Sequence, residues 1–229
     1  MPKYTEIFLI RHAEAVEKKD TDPDDNVPLN AKGRDQSERT GKYLEQYSTK
    51  PKVDAMMSSQ LIRAVETSDI IAEEIGYKGK IDRLKILNEY NWDWDRGERK
   101  KVNIIADKLT EEYNEKYKND PIGYYKNFHL LVNYKFPADI KPPTTVAQLR
   151  AKVKKFLKDL TKTKHRKIVI VTHHHVISMM TALITGLDMQ ITTRGQGTKP
   201  AGNCAITYIK LEDGRYTIVA PISTSHLEQ

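Results

Sequence analysis

"FLIRHAEAV", Phe8–Val16, delivers an arginine and a histidine side by side at the point where an apolar run stops. Ile7–Ile10 is short and wholly apolar, the pattern of a strand buried on both faces of a sheet. A buried strand that ends in Arg11-His12 puts a cation and an imidazole at one sheet edge. The fold and the chemistry both turn on what else arrives there.

Working outward, "DTDPDDNVPLNAKG" is loop by its Asp, Asn and Pro content, and Asn30 caps a helix running to about Tyr47. "VDAMMSS", Val53–Ser59, reads as a second strand. "QLIRAVETSDIIAEEIG" follows as a helix whose apolar stripe includes Leu61, Ala64, Ser68, Ile71 and Ile75, and Gly76 stops it. A weaker strand lies near Ile81–Leu87. From about 90 to 143 the periodicity degrades, which reads as helices and loops inserted into the fold. "TTVAQLRAKVKKFLKDLTK" is a helix capped by Thr144 or Thr145, with Leu149, Val153, Phe156, Leu157 and Leu160 on its apolar face. "KIVIVTHHH" contains the strongest strand, Ile168–Thr172, and "ISMMTALITG" is an apolar helix closed by Gly186. "CAITYIKLEDGRYTIVA" is a hairpin turning at Glu212-Asp213-Gly214.

This strand–helix alternation predicts an α/β layered fold on a largely parallel sheet, where ligands collect at the carboxyl ends of the strands. Three strands end in reactive side chains: Arg11-His12, then Ser58-Ser59 with Arg63 on the helix that follows, then Thr172-His173-His174-His175. If the three are parallel neighbours, two arginines and two histidines meet at one edge.

The composition narrows the partner. Thirty-eight Lys and Arg against 31 Asp and Glu give a net charge of +7, which suits an anionic ligand, although the lysines are spread along the chain as a solvated surface would have them. The single cysteine, Cys204, excludes an intrachain disulfide and a Cys-based zinc site and fits a reducing, cytoplasmic location. No segment approaches the roughly 20 apolar residues of a membrane span, and "MPKYTEIFLI" lacks the features of a signal peptide.

Two arginines with two histidines suit a phosphoryl group. Arginine forks match phosphate oxygens, a neutral imidazole nitrogen can attack phosphorus to give a phosphoramidate, and a second histidine can donate to the equatorial oxygens. The leaving alkoxide then needs an acid opposite. Other readings of the same residues remain open at this level. Arg11-His12 could be a polar surface pair, and Arg63 could pair with Glu66 or Glu38 on a helix surface. His173 and His175, on one face of a strand, could hold a metal. Trp92 and Trp94 suit packing, or substrate stacking.

Five blocks in order, "LIRHAEA", "PLNAKGRDQ", "SSQLIRAVETSDIIAE", "LNEYNWDWDRGE" and "VIVTHHHVI", resemble the histidine phosphatase superfamily, the phosphoglycerate-mutase-like clan. That family carries R-H-G after its first strand, then P-L-T-x-x-G-x-x-Q, S-S-P-L-x-R-A-x-x-T-A, a glutamate near L-x-E, and S-H-G-G after a late strand. The resemblance spans about residues 5–100 and 145–185. It implies that His12 is the phosphorylated nucleophile, Arg11 and Arg63 the phosphate clamps, His173 the second pocket histidine and Glu89 the general acid/base. Gly33 and Gln36 match structural positions. It further implies a three-layer α/β/α sandwich around a mostly parallel mixed sheet, built as one domain over 1–229 with a lid-like insertion at about 90–143.

The departures are specific. Ala13 replaces glycine after Arg-His, and Gln60 stands where proline is common. His174 and His175 replace Gly-Gly, so His174 either adds a donor to the phosphate rim or crowds it. Around Glu89 the usual Gly-aromatic-Glu-Gly spacing is missing, which leaves Asp93, Asp95 and Glu98 as further candidates for the acid. The expected activity is phosphomonoester hydrolysis through phosphohistidine, without metal or cofactor. The expected substrate is a phosphorylated small molecule or a phosphoprotein, not nucleic acid or membrane, and no oligomeric state is implied. Mutase-type phosphoryl transfer and a non-catalytic phosphate-binding adaptor are the alternatives. "RHAEAVEKK" keeps only Arg, His and Glu of the mutase block R-H-G-E-S-x-W-N.

Overall fold

The structure is a computed structural model. It describes residues 4–17, 26–47, 52–89, scattered helical positions between 101 and 115, 146–187 and 202–228. The chain divides into two compact units, one of residues 1–89 with 152–229 and one of residues 90–151. Most of the stretch read as a lid, with Trp92, Trp94, Asp93, Asp95 and Glu98, lies outside the described residues. In the second unit Val102 is buried and Ile104 exposed.

The first unit is built on a six-stranded sheet of described strands: β1 (Tyr4–Arg11), β2 (Ala55–Ser58), β3 (Ile81–Arg83), β4 (Lys167–Thr172), β5 (Ile206–Glu212) and β6 (Arg215–Ser223). Their order is β3-β2-β4-β1-β5-β6. Strands β3, β2, β4 and β1 run parallel, while β5 is antiparallel to β1 and β6 to β5. The parallel part makes β2, β4 and β1 adjacent, as the pooling of reactive residues requires. The hairpin turns at Asp213 and Gly214, both at positive φ.

Alternation buries both faces of β4, while on β1 Phe8 and Glu6 leave one face half-buried. Ile10, Val169 and Val171 enter one cluster with Met56 and with Leu44, Ala64, Ile71 and Ala72. These last four come from helices α1 (Ala31–Tyr47) and α2 (Ile62–Glu74). Ile7, Leu9, Ile168 and Ile170 point the other way and are as fully buried. Helix α4 (His174–Thr185) lies against β1 and β6, and the Tyr216 hydroxyl on β6 donates to Leu157 O of helix α3 (Val146–Leu160) at 2.6 Å. The result is the expected α/β/α layering.

Two of the boundaries that differ from the sequence reading bear on the site. The segment near Ile81–Leu87 is strand only to Arg83 and becomes a 3-10 turn at Lys85–Leu87. Helix α4 begins at His174, not after the histidine run; His173 is its extended N-cap residue and Gly186, at φ 72°, ends it. His173 and His175 therefore do not share a strand face, and the geometric basis of the metal reading is gone. Among the described residues no three or more His, Cys, Asp or Glu side chains come together as metal ligands would, and no helix is long and apolar enough to cross a membrane.

Candidate active site

The carboxyl ends of β1, β2 and β4 are tied to one another by backbone. His12 N donates to Thr172 O at 2.8 Å, and Ser59 N to Val171 O at 3.0 Å. The turn after Arg11-His12 is pinned from three sides. Ala13 N donates to Thr67 Oγ1 on α2 at 3.0 Å, Glu14 N to Gln36 Oε1 on α1 at 2.9 Å, and Asn203 Nδ2 to His12 O at 3.1 Å. Asn30 caps α1 as expected, its Oδ1 accepting Gly33 N at 2.8 Å. Gly33 itself is required by close approach, since a Cβ there would lie 1.9 Å from Glu14 O. Gly33 and Gln36 thus hold the loop that holds His12. Cys204, buried at φ 56°, donates its N–H to Arg11 O and closes the back of the turn.

His12 is buried. Its Nδ1 stands 2.7 Å from Ala13 O, a carbonyl that can only accept, so Nδ1 carries the proton and Nε2 the lone pair. Arg63 Nε donates to that Nε2 at 3.2 Å. Arg63 is buried, and the half-buried Glu66 is taken by Arg34 instead, so the helix-surface reading of Arg63 is corrected. The His12 and His173 rings lie 5.0 Å apart. Burial, then the neighbouring His173, Arg11 and Arg63, hold His12 well below the usual imidazole range, so it is neutral at physiological pH. Burial also works against the charge on Arg11, which Glu89 supports and Arg63 opposes.

The tautomer of His173 follows from a chain of bonds that the sequence reading missed. Asn88 Oδ1 accepts Gln60 N at 2.8 Å and faces Ser59 Oγ at 3.0 Å. An amide oxygen cannot donate, so the one Ser59 hydroxyl hydrogen goes to Asn88. Ser59 Oγ also accepts Leu61 N at 3.1 Å, and His173 Nε2 lies 2.7 Å from it. Nε2 is therefore the donor. In neutral His173 the lone pair is on Nδ1, which is buried and has no partner among the described residues. Burial is the largest cause of a His173 pKa pushed down to about 3, with Glu89 opposing and Arg63 and Arg11 adding to it. The signal in the sequence was the pairing of "SS" after β2 with the asparagine next to Glu89.

Glu89 is brought to the same edge by its backbone: Thr172 Oγ1 donates to Leu87 O at 2.6 Å, and Asn88 is locked as described. Its Oε1 lies 3.4 Å from His175 Nδ1. His174 is buried at the first position of α4, its ring 5.2 Å from that of His175 and edge-on. His12, His173, Arg11, Arg63 and Glu89 are thus linked by contact or charge. Two guanidinium groups against one carboxylate leave a positive charge that an oxyanion would neutralise. Such an arrangement can bind a phosphoryl group, attack it from Nε2, and offer an acid to the leaving oxygen.

Acid lability follows from the buried imidazoles. His12 and His173 titrate below their unfolded range, and burial with Arg39 pushes His226 down to about 4. Between pH 6.5 and 5 the unfolded chain binds protons that the folded chain refuses, so stability falls as pH falls, by about 1.4 kcal/mol per unit for each fully refused proton. The urea midpoint is expected to drop steadily from pH 7 to 5, and 20 mM phosphate to flatten the drop by giving His173 Nδ1 an acceptor to donate to. A midpoint independent of pH over that range would contradict this assignment.

Known proteins agree with the geometry. The sequence profile of the histidine phosphatase superfamily (branch 1) matches residues 7–223. The mitochondrial serine/threonine-protein phosphatase Pgam5 of Drosophila pseudoobscura pseudoobscura is 40% identical over 91 residues, 39% of this chain and 30% of that protein. The chain thus spans less than a third of the curated relatives it matches. Among solved structures, a phosphoglycerate mutase from Bacillus anthracis str. Sterne superposes with a TM-score of 0.71 at 16% identity, covering 99% of this chain and 96% of that one. A phosphoserine phosphatase from Entamoeba histolytica gives 0.63 at 20% identity, covering 97% and 99%. At such identities the structures bear on the fold alone. The profile match over nearly the whole chain, with the Arg-His turn and the second histidine at one sheet edge, places this protein in the histidine phosphatase superfamily, branch 1.

Proposed function

We propose that this chain is a phosphomonoesterase that works through a phosphohistidine at His12 Nε2. The observation that carries the reading is the fixed tautomer of His12. Nδ1 is committed to Ala13 O, and the Nε2 lone pair points to where Arg63 now donates. A phosphate entering between Arg11 and Arg63 replaces that hydrogen bond with a P–N bond. In the first step Nε2 attacks phosphorus and the ester P–O bond breaks. The leaving oxygen keeps the electron pair and takes a proton from Glu89. In the second step water attacks phosphorus, Glu89 takes its proton, and the P–N electrons return to Nε2. His173, protonated on Nδ1 as phosphate arrives, donates to an equatorial oxygen. His174 stands at the first turn of α4 and adds a donor at the rim. No step calls on a metal, because the arginines carry the charge that a metal would.

Relatives named as a serine/threonine-protein phosphatase and structural neighbours that include a phosphoserine phosphatase support a phosphorylated metabolite or a phosphoprotein as substrate. A cytosolic site of action belongs to the same proposal, and fractionation of expressing cells tests it against the mitochondrial designation of the relatives. Mutase activity has one point in its favour, the phosphoglycerate mutase neighbour. The deciding experiment assays glycerol phosphate, phosphoserine and a phosphopeptide in EDTA, beside 2- and 3-phosphoglycerate interconversion primed with the bisphosphate. Hydrolysis undiminished by EDTA and faster than interconversion is expected. Activity that needs added zinc or magnesium, or interconversion that outruns hydrolysis, would overturn the reading.

A further inference from the structure

We propose that Asn88 and Ser59 are positioning residues that commit the ring proton of His173 to Nε2, and that the site therefore admits a phosphoryl group carrying its own proton ahead of an anion that brings none. The inference rests on the phosphomonoesterase reading for the place of the ligand. The commitment starts at a backbone N–H. Gln60 N donates to Asn88 Oδ1 at 2.8 Å, and a main-chain N–H can only donate, so the amide is held with its oxygen on that side. The same oxygen lies 3.0 Å from Ser59 Oγ and takes its hydroxyl hydrogen. With the hydrogen turned elsewhere, two oxygens would face each other through lone pairs. Leu61 N also donates to Ser59 Oγ, at 3.1 Å. Ser59 has only acceptor capacity left for His173 Nε2, 2.7 Å away. Ser59 and His173 are fully buried and Asn88 is half-buried, so a bond turned the wrong way costs more here than in water.

The consequence falls on Nδ1, which in neutral His173 bears a lone pair and is buried with no partner among the described residues. Around the ring stand His12 and Arg11 from the end of β1, Arg63 from α2, Glu89 beyond the 3-10 turn and His175 on α4. Burial, then Arg63, Arg11 and His175, work against a second proton on His173, and Glu89 favours it. The ring is neutral at pH 7 and has no proton of its own to give through Nδ1. A fully ionised oxyanion would set its lone pairs against that nitrogen. A phosphate monoester loses its second proton at a pKa of about 6, so a P–O–H group is available near neutrality and can donate to Nδ1. The proton then lies in the O···N hydrogen bond. As negative charge builds on the equatorial oxygens it shifts onto Nδ1, which becomes the donor used in the first chemical step. The ligand itself supplies the proton, and no further acid is called on. Sulfate has the shape and charge of the phosphate dianion but no proton at neutral pH.

The test compares inorganic phosphate with sulfate by calorimetry, in the parent and in His12→Ala, where no imidazole at position 12 competes for the proton. At pH 6 phosphate is expected to bind at least about 100-fold more tightly than sulfate, as a site built around one hydrogen bond rejects the analogue that lacks it. At pH 8, titration in two buffers of different protonation enthalpy should show about one proton taken up per phosphate bound, and affinity should fall about 10-fold per unit at higher pH. Ser59→Ala removes the acceptor of the Nε2 proton, and Asn88→Ala frees the Ser59 hydrogen to turn toward Nε2. Either change lets His173 carry its proton on Nδ1. In both variants sulfate should come within about 10-fold of phosphate, and proton uptake should fall toward zero. Gln60→Ala keeps the backbone N–H on Asn88 and should behave as the parent does. Sulfate bound as tightly as phosphate by the parent, or phosphate bound at pH 8 with no proton uptake, overturns the inference and leaves the phosphoryl site standing. An unchanged preference in folded Ser59→Ala and Asn88→Ala does the same. If neither anion binds the parent, the phosphoryl-site reading falls and this inference with it.

Discussion

His12→Ala is expected to lower turnover by on the order of 10⁴–10⁶-fold, the scale on which an enzyme feels the loss of its covalent nucleophile. The argument is positional. His12 sits one residue past β1, its amide bonded to Thr172 O and its ring locked through Nδ1 to Ala13 O. No other side chain at that strand end can make a bond to phosphorus. The ring is held neutral by burial and by neighbouring cations, so its lone pair is available without prior deprotonation. The fold should survive. The turn is held by backbone and by Thr67, Gln36 and Asn203, none of which bonds to the His12 ring. Removal of an imidazole that resists protonation also lifts part of the acid sensitivity. Rapid quench of the parent with an aryl phosphate should trap an acid-labile, base-stable phosphoenzyme that the variant lacks. The variant should still bind inorganic phosphate through Arg11 and Arg63. More than a few per cent of parent activity in a folded His12→Ala would place the nucleophile elsewhere.

The parts of this site that can be read in the sequence are those whose signal is local. Ile7–Ile10 followed by Arg11-His12, and Ile168–Thr172 followed by His173, are apolar runs that end in reactive residues, and the parallel order β2-β4-β1 brings their ends together. Asn30, Gly33 and Gln36 were legible for the same reason, being a cap and two contacts at fixed offsets. The strand–helix boundary within the three consecutive histidines is not legible, because identical residues carry no periodicity. Nothing in "HHH" marks where a strand gives way to a helix, and only the structure puts the boundary between His173 and His174. The bond of Ser59 to Asn88 was hidden by a separation of 29 positions, and both residues look like ordinary loop polars in isolation. The 3-10 turn at Lys85–Leu87 replaced an expected strand end because Leu87 turns inward as a fully buried residue and its carbonyl is taken by Thr172.

Glu89→Gln should separate substrates by their leaving groups. An alkyl phosphate expels an alkoxide whose conjugate acid is very weak, so the P–O bond breaks only as the oxygen is protonated. p-Nitrophenyl phosphate expels a stable phenolate and needs little help. General acid catalysis is worth about 10²–10⁴-fold, and the amide keeps the shape of the carboxyl while removing its transferable proton. Glycerol phosphate and phosphoserine should therefore slow by about that factor, and p-nitrophenyl phosphate by no more than about 10-fold. The second step qualifies this for the aryl ester, because Glu89 also takes the proton of the attacking water. A phosphoenzyme that is hydrolysed slowly should then accumulate, visible as a burst of nitrophenolate followed by a reduced steady rate. The burst and the leaving-group dependence are independent readouts of one carboxyl acting twice. Arg11 and His173 would keep their phosphate contacts in this variant, so competitive inhibition by inorganic phosphate should weaken little. Equal slowing of alkyl and aryl esters, with no burst, would move the acid away from Glu89 to Asp93, Asp95 or Glu98, which are the next residues to substitute.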